Sequence, residues 1–114
     1  MATLNIDADF GALPTITSYA VATTGGIVTL ESGGYHRLPE GVSTVTFSAR
    51  GTTLEVYLST AMSSSGRYAR IDVEDGQPKV VSSVSVPEGK PRYIEMRAAK
   101  AGDVGVTIIT YPLV

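Results

Sequence analysis

The amino-acid sequence predicts an all-β protein, an antiparallel β-sandwich of jelly-roll type with eight to nine strands. Three observations carry this expectation. Apolar and polar residues alternate with a period of two along most of the chain, the pattern of strands buried on one face. Glycine and proline turn signals recur about every ten residues, the spacing of sandwiches and jelly rolls. No segment has an apolar stripe at helical spacing, and Val, Thr, Ile and Tyr, which favour strands, dominate throughout.

Residues 1–15 (MATLNIDADFGALPT) lack a sustained period and end next to a proline, so they read as an extended arm preceding one sandwich domain over residues 16–114. Ile16, Ser18, Ala20 and Ala22 then interleave with Thr17, Tyr19, Val21 and Thr23 up to Gly25-Gly26. Ile27 to Glu31 reads as a short strand stopped by Gly33-Gly34, and Tyr35 to Leu38 as another, closed by Pro39-Glu40-Gly41. There proline presets φ and glycine accepts a positive φ.

The two strongest strands follow. Val45, Phe47 and Ala49 face away from Thr44, Thr46 and Ser48, and Leu54, Val56 and Leu58 face away from Glu55, Tyr57 and Ser59, with Gly51 between them. Ala61 to Gly66 is small and polar, a surface loop. Tyr68 to Glu74 alternates again, and Asp75-Gly76 gives a hairpin signal before Lys79 to Val86, lengthened by Gln77 and Pro78. Pro87-Glu88-Gly89 leads into Arg92 to Ala99. Its later part, with the residues that follow (IEMRAAKA), has helical propensity, but alternation and the preceding turn favour a strand. After Gly102-Asp103 the final strand runs from Val104 to Tyr111. The Pro-Glu-Gly turns at 39–41 and 87–89, each followed by two strands, form an internal echo that antiparallel sheets produce by reusing one turn chemistry.

At 114 residues the chain has room for one core. With 43% hydrophobic residues it is too apolar for intrinsic disorder. Nine basic and eleven acidic side chains are scattered singly, for a net charge of −2. Nucleic acid is therefore not an expected partner, because neutralising phosphates needs clustered Lys and Arg. Nor is a membrane, because no apolar run approaches the ~18 residues of a span. The start lacks a basic n-region and carries Asp7 and Asp9, unlike a signal peptide. The absence of cysteine excludes disulfides, thiolate zinc sites and cysteine nucleophiles together.

No catalytic or metal-binding motif emerges, so the expectation is a protein that is not an enzyme and holds no cofactor. The single histidine, His36, has no Gly-x-Ser-x-Gly elbow to serve, and Ser63 to Ser65 read as loop. Asp7-x-Asp9 and Asp72-x-Glu74-Asp75-Gly76 suggest calcium, yet an EF-hand counted from Asp72 puts Gly76 at position 5 and Ser83 at position 12, where ligands belong.

The binding signal is surface. Six tyrosines and no tryptophan are present, and on strands Tyr57 and Tyr93 sit opposite Leu54, Val56, Leu58, Ile94 and Met96, which leaves both faces partly apolar. The arm carries Leu4, Ile6, Phe10 and Leu13, and the chain stops at Leu113-Val114. These eight residues, Leu4, Ile6, Phe10, Leu13, Tyr57, Tyr93, Leu113 and Val114, are the expected partner contacts.

A small, acidic, cysteine-free, Thr- and Ser-rich β-sandwich with an apolar N-terminal arm resembles the head decoration or cement proteins of tailed bacteriophages. That resemblance implies a jelly-roll-like homo-oligomer, dimer or trimer, that sits on the virion, bridges major capsid protein subunits and stabilises the lattice. The segment 87–109 also looks loosely like the carbohydrate-binding modules appended to hydrolases, which gives a sugar-binding alternative.

Overall fold

The computed structural model describes residues 13–31 and 33–112. Leu4, Ile6, Phe10, Leu113 and Val114, with Asp7 and Asp9, lie outside the described residues. The strands are β1 (Thr15–Thr23), β2 (Gly26–Ile27), β3 (Tyr35–Arg37), β4 (Gly41–Arg50), β5 (Leu54–Ser59), β6 (Arg67–Val73), β7 (Lys79–Val86), β8 (Tyr93–Ala98) and β9 (Gly102–Tyr111). They form two antiparallel sheets, β1-β9-β4-β7 and β2-β8-β5-β6, with β3 also paired to β8.

β2 and β3 run in the same direction along one edge of β8, pairing with residues 97–98 and 93–95 respectively. They are two pieces of one interrupted strand. Counted so, the chain is a long hairpin rolled up: β1 pairs β9, β2 and β3 pair β8, β4 pairs β7, and β5 pairs β6. The four two-stranded pieces then join as β9 to β4 in one sheet and β8 to β5 in the other. This is the jelly-roll arrangement that the turn spacing predicts.

The central strands β4, β5, β8 and β9 bury the side chains that parity assigns to them. Val45, Phe47 and Ala49 of β4 lie beside Ile108, Val106 and Val104 of β9, and Leu54, Val56 and Leu58 of β5 beside Ala98, Met96 and Ile94 of β8. All are buried, as are Val84 and Val86 of β7 and Val73 of β6. The core ends in a polar pair, Ser43 and Thr110, whose hydroxyl oxygens are 2.7 Å apart.

Three features depart from the sequence expectation. The segment beginning at Ile27 leaves the sheet early: the Val28 amide still donates to the Met96 carbonyl (2.9 Å), but the chain then swings out and returns only at Tyr35. Asp75-Gly76 makes the tight turn expected, with Glu74 and Gln77 bridged antiparallel across it and Gln77 N–H donating to the Glu74 carbonyl (3.1 Å), but β6 and β7 belong to different sheets, so the pairing stops there and the chain turns a corner. The corner is tied to the neighbouring one by Gly76 N–H donating to the Ala49 carbonyl (2.8 Å) and Gly51 N–H donating to Asp75 Oδ1 (3.0 Å). Within the 61–66 loop, Ser64–Gly66 winds into one 3₁₀ turn.

The two Pro-Glu-Gly turns are crossovers that run side by side, β3 to β4 and β7 to β8, and Gly89 N–H donates to Glu40 Oε2 (3.2 Å). Their echo thus follows from the rolled hairpin. Gly41 needs to be glycine, since its φ is +131° and a Cβ there would lie 2.2 Å from the Tyr111 carbonyl oxygen.

Candidate interaction surfaces

The outward residues of the two sheets differ in kind. On the β2-β8-β5-β6 sheet, the register aligns Tyr35, Glu95, Tyr57 and Arg70 in one row across the strands. Glu55, Arg97 and Asp72 form the next row. Arg70 donates to Asp72 (3.0 Å) and Glu55 (3.2 Å).

Glu95 is 2% exposed although it projects from the outer face. Arg67 covers it, donating through Nε (2.9 Å) and Nη2 (2.5 Å) to Oε1, and Arg97 Nη2 lies 3.7 Å from Oε2. The same Arg67 guanidinium lies 3.9 Å from the centre of the Tyr57 ring, a cation–π contact that holds it over the carboxylate. A shift of register between Leu58 and Ser59 places Arg67 there, where regular pairing would place Tyr68. Tyr57 and Tyr93 are therefore both outward, as parity predicts, and half-buried. Tyr57 belongs to the Glu95 network. Tyr93 lies one row away, between Arg37 and Ser59.

The outer face of the β1-β9-β4-β7 sheet carries almost no charge. Its central row is Ser18, Thr107, Thr46 and Val80. On one side lie Ile16, Ile109 and Thr44, then Tyr111, Val42 and Ser85; on the other lie Ala20, Gly105 and Ser48, then Ala22, Asp103 and Arg50. Among the described residues Arg50 and Asp103, at one end, are the only charged side chains on it. Ile16 and Val80 are 64% and 60% exposed, and Tyr111 and Val42 are exposed as well. From Ala20, Ser48 and Gly105 to Arg50, Asp103 and Pro78 the surface sinks into a shallow hollow of about 380 Å³.

Both chain ends leave from the raised apolar end of this face. Thr15 and Thr110 are register partners, and Leu13, which is 60% exposed, precedes that pair by two residues. Of the eight residues expected from sequence to contact a partner, Leu13, Tyr57 and Tyr93 lie within the described residues: Leu13 just before β1, Tyr57 and Tyr93 on the other sheet. The face itself was missed, because its members come from four strands whose shared sheet no periodicity reveals.

No family model matches the chain. No curated protein and no solved structure matches it either. What the molecule does must therefore be argued from its surfaces.

His36 sits elsewhere, in the open side of the sandwich between β1 and β3. Its ring meets Tyr19 edge-on, with centroids 5.1 Å apart, and Nε2 is 3.5 Å from the Tyr19 hydroxyl. That hydroxyl donates to Glu31. The hydrogen bond to Glu31, then burial, then the charge of Glu31 push the Tyr19 phenol up to about 12. Burial lowers the His36 pKa below 6.5, against the opposing pull of Glu31. Among the described residues no serine hydroxyl bonds to His36. The group ties Glu31 and His36 to β1 through Tyr19.

A second cavity, also about 380 Å³, opens between the β6 and β7 edges and is lined by Leu58, Tyr68, Val81, Val84 and Arg92. Among the described residues no three metal-ligating side chains converge.

Proposed function

We propose that the chain is a structural assembly module that acts by binding a protein lattice, as a decoration or cement protein on the capsid of a tailed bacteriophage. The observation that carries this reading is the sorting of charge between the two outer faces. An uncharged, partly apolar sheet face, with both chain ends leaving at its apolar end, is the kind of surface that proteins cover with another protein. To the major capsid protein we assign as contacts the residues expected from sequence, Leu4, Ile6, Phe10 and Leu13 with Leu113 and Val114. No chemistry is required of the chain and no cofactor.

A sugar-binding role would draw on stacking by Tyr57 and Tyr93. Against it, the Arg67 guanidinium already occupies one face of the Tyr57 ring.

The test is particle association. An antibody against the chain should label the outer shell of intact virions from its source, and a chain lacking residues 1–12 should fail to rebind shells stripped of it. Label confined to the non-particulate fraction, or tyrosine-dependent binding on a broad glycan array, would overturn the proposal.

A further inference from the structure

We infer that the outer face of the β1-β9-β4-β7 sheet pairs with the same face of a second copy of this chain, about a two-fold axis along the Ser18–Thr107–Thr46 row. The inference deepens the reading of this face as a docking surface and rests on that reading, but not on the identity of any shell.

The face is complementary to itself. Two residues to one side of the Thr107 row stand Ile16 and Ile109, bulky and outward; two residues to the other side lie Ala20 and Gly105, at the hollow. A two-fold axis along the row exchanges the two sides. Ile109 of each copy then enters the other's hollow at Gly105, and Ile16 covers Ala20. An isologous contact of this kind closes on itself and stops at two copies. Pairing of bulk with recess also avoids the void that two hollows would enclose.

Charge does not oppose this arrangement. The exchange brings Tyr111 over Asp103 of the second copy, where the phenol can donate to the carboxylate, and Val42 over the stem of Arg50. Neither ion meets its like.

The area suffices. Four strands about 4.8 Å apart and about nine residues long, at about 3.3 Å per residue, give roughly 600 Å² a side and roughly 1,200 Å² in all, at the lower bound for a stable specific interface. Aligned sheets cross at about −30°, which opens only the outermost corners, at the ends of β1 and β7, and leaves the central strands β9 and β4 covered.

A second copy suits this face better than edge-to-edge pairing through β1. Edge pairing would satisfy backbone groups but leave Ile109, Val42 and Tyr111 in water.

The test uses the full chain. Light scattering behind size exclusion should give twice the 11.9 kDa chain mass. Ala20→Arg places a guanidinium at an exposed position, with folding checked by an unchanged melting curve. It should raise the dimer dissociation constant roughly 100-fold, since the charge would be buried unpaired, whereas Arg37→Glu on the opposite sheet should leave the mass unchanged.

The chain has no native cysteine, so Thr107→Cys alone, lying on the axis, should yield a covalent dimer with a short bismaleimide. A monomeric wild-type chain, a dimer indifferent to Ala20→Arg, or failure of Thr107→Cys to cross-link would overturn the pairing. So would a monomer that dimerises only after residues 1–12 are removed, which would make the arm the occupant of the face. A monomer that still labels virion shells would refute the pairing and leave the assembly reading standing. A dimer that never labels particles would do the reverse.

Discussion

The Ser43–Thr110 pair offers a stringent check on the core. Ser43 is 0% and Thr110 3% exposed, and each hydroxyl finds its side-chain partner in the other at 2.7 Å. Ser43→Ala or Thr110→Val alone removes one hydroxyl and leaves the other buried without a partner, a loss of about 1–3 kcal/mol. The double variant S43A/T110V removes both hydroxyls, with a methyl of nearly the same shape taking the place of the Thr110 hydroxyl, so it should lie within about 0.5 kcal/mol of wild type. The coupling expected from a double-mutant cycle is therefore roughly 1.5–5.5 kcal/mol in favour of the pair. Equilibrium urea unfolding measures it: with a slope of about 2 kcal/mol per molar, each single variant should unfold roughly 0.5–1.5 M earlier at unchanged slope. Additive single effects, with the double variant the least stable of all, would refute the account of these hydroxyls as a mutually satisfied buried pair.

Phe47, wholly buried at the centre of β4, should cost about 3–5 kcal/mol on truncation to alanine, read as a lower urea midpoint. Because the folded pKa of His36 is lowered, its contribution to stability is complete above pH 6.5 and is lost as pH falls through the folded value; His36→Gln should flatten the acid limb of a stability–pH curve. The Tyr19 phenol is raised from 10.0 to about 12, so its contribution is present below pH 10 and is lost as pH rises toward 12; Tyr19→Phe should remove that alkaline slope. Glu95→Gln keeps the shape of the side chain but takes the charge from beneath Arg67 and Arg97; a lower melting temperature is expected, and an unchanged one would show that the network contributes nothing to the fold.

Strand positions and inward faces were legible because each strand has one dry side. Val45, Phe47 and Ala49, or Leu54, Val56 and Leu58, show the period of two for that reason alone. In IEMRAAKA the alternation of Ile94, Met96 and Ala98 outweighed helix propensity, and β8 duly pairs on both edges. Partnership was less legible. Every connection but β5–β6 changes sheet, counting β2 and β3 as one strand, and a corner such as Asp75-Gly76 has the residues of a hairpin turn. Residues 29–31 continued an apolar alternation although the chain had left the edge. Arg67 and Glu95 are 28 residues apart and meet only through the register shift after Leu58, so Glu95 read as one more polar residue on a strand.

The same blindness to sheet membership hid the uncharged face, and the contrast with the other sheet gives that face its meaning. A strand side chain in water accepts Lys, Glu or Arg at little cost, and proteins use such residues to keep sheet surfaces and edges from associating. This chain does so on β5, β6 and β8, where Glu55, Arg70, Asp72 and Arg97 cover the outer surface. Absence of charge from β1 and from the middle of β4 and β9 is therefore not a property of the fold or of the overall composition, since eleven acids and nine bases were there to be distributed. Thr44, Thr46, Ser48, Gly105 and Thr107 are each unremarkable alone. Brought together beside Ile16 and Ile109, they make a surface that loses less by being covered than the charged outer face of the other sheet.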